Sequence, residues 1–378
     1  MDAPLAGLVV IAVEQAVAAP FCTGRLADAG ARVIKIERPE GDFARFYDDS
    51  APGSSSYFVW LNRGKESVVL DLREAKERRQ LGGLIESADV LVQNLKPGAM
   101  ARMGLGIEAL RQRHERLICC SISGYGETGP LAGRKAYDLL VQAESGLASI
   151  TGGPSEPARV GISVVDIATG ATAHAAILEA LIARGRTGRG ADIRISMFDV
   201  MADWLTVPLL NTEAGRPPGR IGLAHPSIAP YGVFSAADGR QVLISIQSER
   251  EWLVFCRDVL GAPGMAEDER FRSNVARVRH RGETDAAVAR AFGAWPGGVL
   301  TARLAAADIA FAEMNDMAAL SAHPHLKRIE VATAAGAASM PAPAASIMGM
   351  RRHYGKVPAI GEHTDDVLAA FPATGWPR

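Results

Sequence analysis

The chain opens on a β-α-β pattern, and this restricts its fold more than any other feature. Leu8 to Val13 is a continuous apolar run with β-branched residues and reads as a buried strand. Pro20 then starts a helix that runs through Ala29, with Gly30 as its natural stop. Val33 to Ile36 is a second strand. Two strands joined by a helix lie parallel with a right-handed crossover. Strand-like runs recur at Ser67 to Leu70, Asp89 to Val92 and Leu117 to Ile122, with helical segments at Glu74 to Glu86 and Ile107 to Arg113. The expectation is an α/β protein with a Rossmann-like large domain built on a parallel sheet. The turn after the first strand, Glu14 to Pro20, contains no glycine, so the dinucleotide fingerprint is missing and NAD or FAD is not expected there.

In an open parallel sheet, ligands sit beyond the carboxyl ends of the strands. Here those ends carry Glu37-Arg38, Asp71 and Arg73, Gln93-Asn94 with Lys96, and Ser123, while Arg102 and Lys135 lie a little further on. These residues read either as a solvated, mixed-charge surface or as a phosphate-binding rim. The 41 basic residues of the 378-residue chain nearly balance its 42 acidic ones, which disfavours a nucleic-acid binder working by bulk charge. Cys22, Cys119, Cys120 and Cys256 fit neither a CxxC metal pattern nor a disulfide framework and read as reduced thiols. His323 and His325 flank Pro324 without an acidic or cysteine partner nearby, so no metal site is expected. No basic region precedes the first apolar run and no apolar stretch is read as membrane-spanning, so the expectation is a cytoplasmic protein that contacts no membrane.

The stretch from Arg134 to Gly170 carries two carboxylates in apolar surroundings. Asp138 follows Lys135-Ala136-Tyr137, and Asp166 lies between Val164-Val165 and Ile167. An Asp in such a frame is costly unless it is paired, capping or chemically used. Asp166 precedes a helix-like run from Ile167, so it reads as an N-cap, as a nucleophile, or as both.

Four stretches resemble class III CoA-transferases of the CaiB/BaiF type, the family that includes formyl-CoA transferases and α-methylacyl-CoA racemases. They are Ala19 to Asp42, Leu61 to Leu72, Ala88 to Gly106, and the block from Ser121 to Asp199 that ends in GRTGRGADIRISMFD. The resemblance implies a transferase that moves coenzyme A between an acyl-CoA and a carboxylic acid, with coenzyme A as substrate and no metal. It also implies a homodimer interlocked like links of a chain. Asp166 matches the family's nucleophile, with Tyr137, Asp138 and Gln15 in support. Coenzyme A contacts carry over to Val17, Ala18, Arg38, Leu70, Asp71, Leu72 and Arg73, and to Asn94, Leu95, Lys96, Arg102, Arg134, Lys135, Ala136 and Tyr137. Val17 stands where formyl-CoA transferases place a Gln, and only Gly219 and Gly222 stand near the position of their glycine-rich loop. The racemases place a His immediately before the Asp matching Asp138. This chain has Tyr137, a poor base near neutral pH, so the transferase is preferred over a racemase and over a non-catalytic CoA-binding protein.

Further along, Ile167 to Arg184 reads as a helix, Ala191 to Ser196 as a strand and Met197 to Leu210 as a further helix. Residues 1–210 are read as the first part of the large domain, 211–225 as a Pro/Gly-rich linker, 226–323 as a smaller α/β domain, and 324–378 as an irregular return segment ending in a helix capped by Thr364. A short dicarboxylic acid such as succinate, mesaconate, itaconate or citramalate is the expected partner acid. Arg25, Arg45, Arg63, Arg220 and His225 are the candidates for holding its second carboxylate.

Overall fold

A computed structural model of the chain describes residues 3–350 and 352–371. Residues 1–2, 351 and 372–378 lie outside it, and with them the outer ends of the expected segments 1–210 and 324–378. The chain forms two units. One comprises Met1–Leu147, Arg159–Val207 and Lys327–Arg378, and the other Ala148–Ala158 and Pro208–Leu326. The smaller unit therefore takes a short piece from before the long helix, which a single linker at 211–225 does not anticipate.

The larger unit is built on six parallel strands: β1 (Val9–Val13), β2 (Arg32–Glu37), β3 (Lys65–Val69), β4 (Val90–Gln93), β5 (Ile118–Ser123) and β6 (Asp192–Ser196). Their order is β3-β2-β1-β4-β5-β6. The order reverses between β1 and β4, and such a switch point leaves a crevice beyond the carboxyl ends of the two strands. Alternation along β1 sends Val10 and Ala12 to one face and Ile11 and Val13 to the other. The first face packs on Ala19, Cys22 and Leu26 of the first helix, Ala18–Asp28, and on Ala173 and Ile177 of a long helix, Val164–Thr187. The second face packs on Leu81, Leu84 and Ile85 of the helix Ala75–Glu86. All four cysteines are buried free thiols.

The long helix and the first helix approach closely because Gly170 has no side chain. A Cβ there would lie 2.4 Å from the carbonyl oxygen of Ala18. At 24 residues this helix is long and apolar enough to cross a membrane by length and composition alone, so the expectation that no stretch reaches that length is corrected. Here it packs against the sheet, and Arg184 near its end donates to Asp89 at 3.0 Å.

Four charged side chains are buried together behind the loop that follows β1. Glu14 accepts from Lys65 at 2.7 Å and from Thr23 at 2.6 Å. Lys35 pairs with Asp42 at 2.8 Å and with Glu14 at 3.4 Å. Burial alone would push the Glu14 carboxyl up, but Lys65 and Lys35 outweigh it and hold it below the usual carboxylate range.

The carboxyl-terminal segment is more regular than the sequence suggests. β10 (Arg328–Thr333) and β11 (Gly336–Pro341) form an antiparallel hairpin where an irregular stretch is expected. Ala337 and Ala338 pair there with Ala332 and Val331, and Ala338 is buried in one cluster with Phe58 and Val59. The helix Thr364–Ala370 closes the described chain, but Thr364 does not cap it through its side chain. Its hydroxyl accepts from the Val69 backbone N–H at 3.0 Å, and His363 Nδ1 accepts from Ser67 at 3.2 Å, so both occupy donors on the edge strand β3.

The smaller unit holds an antiparallel sheet of β7 (Tyr231–Ser235), β8 (Gln241–Ser245) and β9 (Ala310–Glu313), joined between β7 and β8 by a turn through Asp238-Gly239. Its core gathers Phe234, Val242, Ile244, Trp252, Phe255 and Phe292. The helix expected over Met197 to Leu210 is broken at Leu205 into Met197–Trp204 and Thr206–Glu213, and the second piece runs into the expected linker.

The buried quartet yields a stability prediction. Glu14→Leu leaves Lys35 and Lys65 with one carboxylate between them in a water-free site. It should destabilise the protein by roughly 3–5 kcal/mol in urea unfolding, the range for breaking a buried pair from one side. A loss under about 1 kcal/mol would show that breaking the quartet from one side leaves no uncompensated buried charge.

Candidate active site

The site begins at the loop after β1, which is tied down from two sides. Asn94, just past β4, accepts from the Gln15 N–H at 3.0 Å and donates to the Gln15 carbonyl at 2.8 Å. Asp42 accepts from the Ala16 N–H at 3.2 Å and from Ala44 at 3.0 Å while holding Lys35. These bonds keep Ala16 at φ 65°, a left-handed conformation costly for a residue with a side chain. The loop then enters the first helix, whose leading N–H groups receive no side-chain cap from Val17.

Two cavities adjoin this loop, of 740 Å3 and 960 Å3. Gln15, Phe43, Leu95, Lys96 and Arg102 line both and mark their junction. The first also takes Val17, Ala18, Asn94, Arg134, Lys135, Ala136, Tyr137, Asp138 and Asp166 into its wall. The second is walled by Arg38, Leu70, Asp71, Leu72 and Arg73. The structure thus brings every residue named from the sequence for catalysis or coenzyme A contact to one of two joined cavities. Their side chains are not equally available. Arg73 forks onto Asp71 at 2.6 Å, and Arg134 pairs with Glu144 at 3.2 Å, whereas Arg38 reaches only the Gln15 side chain at 3.4 Å. Gly124 lets the wall close, since a Cβ there would lie 2.2 Å from the Ala136 side chain.

Asp166 is not the N-cap of the long helix. That position belongs to Ser163, and Asp166 stands two residues beyond the helix start, in the first turn. The capping is done from elsewhere in the chain. Asp138 Oδ1 accepts from the N–H groups of Val165 at 2.7 Å and Asp166 at 3.2 Å, and its Oδ2 accepts from Gln142 at 2.7 Å. The Asp166 carboxylate is therefore left without a hydrogen-bond partner among the described residues, half-buried in the cleft wall. Burial, and secondly the Asp138 charge, push it up to about 7. Once ionised, such a carboxylate is available as a nucleophile or base.

Sequence reasoning overlooked several residues of this cleft. Phe43, Tyr47 and Tyr57 form an aromatic wall, with Tyr47 and Tyr57 edge to face at 5.6 Å. Burial, with Asp42 and Asp166 nearby, pushes the Tyr47 phenol up to about 12. Ser163 and Arg159 complete the side nearest the long helix. Nothing in the spacing of Tyr47 or Tyr57 marks them, but a basic residue in the loop feeding the Asp166 helix was a usable signal.

The five groups expected to hold a second carboxylate line neither cavity. Arg63 is committed to Asp28, Arg25 reaches the same carboxylate at 3.5 Å, and Arg45 pairs with Glu37 at 2.6 Å. Arg220 donates to backbone carbonyls of Gly153 and Ser149, and His225 stacks on Tyr231 at 5.2 Å, both within the smaller unit. Each is an internal strut, and apart from Arg25, whose partner stands three residues on, their partners could not be read from spacing.

The raised Asp166 carboxyl fixes the sign of a pH effect. The fold holds this proton more tightly than the unfolded chain does, so the group favours folding below about pH 4 and loses that contribution as pH rises to about 7. Asp166→Asn removes the titration. The variant should match wild type near pH 4 and exceed it by about 1–2 kcal/mol near pH 8, after discounting for solvent screening of a partly exposed group. Urea melts across that range test it, and a variant less stable than wild type near pH 8 would overturn the assignment.

Comparisons with known proteins now identify the family. Residues 5–364 match the pattern of CoA-transferase family III. An acetyl-CoA:oxalate CoA-transferase of Acetobacter aceti is 42% identical over 297 residues, covering 78% of this chain and 76% of that protein. A human succinyl-CoA:glutarate CoA-transferase is 31% identical over 376 residues, covering 97% of this chain and 85% of that protein. Among solved structures, a CaiB/BaiF family protein of Brucella suis superimposes with a TM-score of 0.84 at 33% identity, covering 98% of this chain and all of that one. A sheet-based α/β fold and a match along nearly the whole chain lead to one conclusion: the chain belongs to CoA-transferase family III and is an enzyme that transfers coenzyme A.

Proposed function

We propose that the enzyme moves coenzyme A between an acyl-CoA thioester and a short dicarboxylic acid, through an aspartyl-CoA thioester on Asp166. The observation that carries this reading is the carboxylate itself. It stands at the head of a helix, relieved of capping by Asp138, in a cleft that opens into a cavity rimmed by Arg38, Lys96 and Arg102. Relatives named for oxalate and for succinyl and glutaryl exchange support the acid class.

Each step conserves atoms and charge. Asp166 attacks the donor thioester carbonyl, and the C–S bond breaks to give a mixed anhydride and CoA thiolate. The thiolate attacks the aspartyl carbonyl, giving the aspartyl-CoA thioester and the free donor acid. The acceptor carboxylate attacks this thioester, re-forming an anhydride and releasing the thiolate. The thiolate then attacks the acceptor's acyl carbon, which yields the new acyl-CoA and restores Asp166. Leading N–H groups of the first helix and the backbone at Gly124 are the donors that can meet the developing oxyanions. The aromatic wall of Phe43, Tyr47 and Tyr57 limits water around an anhydride that water would hydrolyse. Arg38, Lys96 and Arg102 suit the diphosphate and 3′-phosphate of coenzyme A. Among the described residues no histidine lines either cavity, which leaves a racemase without the imidazole that its proton transfer would use.

Incubation with an acyl-CoA followed by hydroxylamine should place a hydroxamate on Asp166, read by peptide mass spectrometry. Asp166→Asn should lose transfer by several orders of magnitude while still binding coenzyme A. An adduct on Asp138, or normal turnover of the Asn variant, would overturn the mechanism. Arg38→Ala and Arg102→Ala should each weaken coenzyme A binding by roughly 1–3 kcal/mol, the range for hydrogen bonds to charged groups. Unchanged affinity in both would reject the rim.

A further inference from the structure

We propose that Arg159 receives the second carboxylate of the acid that exchanges coenzyme A and so selects dicarboxylic over monocarboxylic acids. This rests on the reading of Asp166 as the acyl carrier and adds to it the group that chooses the acid.

Arg159 and Asp166 lie on one short segment and line the same cleft. Both ends of that segment are tied to the helix Asp138–Glu144. Gln142, fully buried, accepts from the Val160 N–H at 2.9 Å and donates to Asp138 at 2.7 Å, and Asp138 in turn holds the N–H groups of Val165 and Asp166. Moving the backbone beside Arg159 relative to Asp166 therefore means breaking a bond to a buried amide, which is costly. The backbone beside the guanidinium is fixed relative to the reacting carboxylate.

The guanidinium is also available. Its Nε donates to the Val160 carbonyl at 3.0 Å, which orients the plane, and no carboxylate among the described residues pairs with it. The two terminal nitrogens are left as a fork that matches a carboxylate. The other cations of the cleft have different settings. Arg134 is paired with Glu144, and Lys96 and Arg102 stand at the junction with the second cavity, where phosphates are best met. Lys135 neighbours Arg134 on the segment assigned above to coenzyme A.

A neighbouring cavity offers no such partner. Tyr57 and Ser163 share a hydrogen bond of 3.2 Å and line both the cleft and a third cavity of 700 Å3. Trp60, Ile162, Ile167 and Met340 wall that cavity, and among the described residues no charged side chain lines it. A second carboxylate placed there would lose its hydration without compensation. Of the two cavities that Tyr57 and Ser163 adjoin, the one that holds Arg159 can compensate a second carboxylate.

The test compares matched acceptor acids, succinate with butyrate and glutarate with valerate, with one donor thioester held constant so that its half-reaction cancels. Wild type should favour the dicarboxylic member of each pair in kcat/KM. Arg159→Gln should reduce that preference about 10- to 100-fold, the loss of a hydrogen bond to a charged group, and Arg159→Lys should recover part of it. Equal loss for both members of a pair, with the preference intact, would overturn the role of Arg159 and leave the Asp166 reading standing. A wild type without dicarboxylate preference would overturn both this proposal and the acid class proposed above. Loss of preference in Arg159→Gln without a hydroxamate on Asp166 would sustain Arg159 and sink the mechanism instead.

Discussion

One carboxylate, Asp138, settles what the rest of the site can do. A helix start presents N–H groups that need acceptors, and Asp166 in the first turn could have supplied one. Asp138 reaches across from its own short helix and takes two of those donors, at 2.7 Å and 3.2 Å. Asp166 is thereby released from structural work. The same residue charges the neighbourhood negatively and, after burial, is the second cause of the raised Asp166 carboxyl. Through Gln142 it also fixes the loop that leads into the helix, so the position and availability of the Asp166 carboxylate trace to one side chain and its amide partner.

The opposite wall of the cleft depends on buried ions. Glu14, Lys35, Lys65 and Asp42 neutralise one another out of water, an arrangement whose net contribution to stability is small but whose disruption is severe. Its use here is geometric. Asp42 spends one oxygen on Lys35 and the other on the backbone of Ala16 and Ala44, which holds the first loop in a conformation that it would not adopt alone. Gly170 then lets the long helix approach the start of the first helix, one turn beyond Asp166. Asp166 and the start of the first helix therefore line one cleft because a glycine, a strained alanine and an internal ion cluster agree on one geometry.

Much of this was legible in the sequence, and the boundary of legibility has a physical basis. The β-α-β opening, the strand runs and the absence of a glycine fingerprint are local patterns, and local patterns survive being read one residue at a time. The rim could be assembled because strand ends gather in any parallel sheet, whatever the side chains. What escaped was pairing at long range. Asp166 looked like a cap because its rival cap is 28 residues away. Arg63 looked free because its carboxylate partner, Asp28, lies 35 residues away in the chain, whereas the Arg25–Asp28 pair, three residues apart on one helix, was local and was overlooked. The hairpin of β10 and β11 was hidden by alanines, whose pairing depends on what lies beneath them.

The edge strand β3 shows what such long-range pairing implies for the chain as it is made. An unpaired sheet edge is a template for any other extended chain. Two donors of this one are occupied by His363 and Thr364, which stand 296 and 295 residues further along. Almost 300 further residues must therefore leave the ribosome before that edge can close. In the interval the nascent sheet is exposed to its neighbours, and the short helix at Thr364–Ala370 acts as a latch on colloidal behaviour as much as on stability.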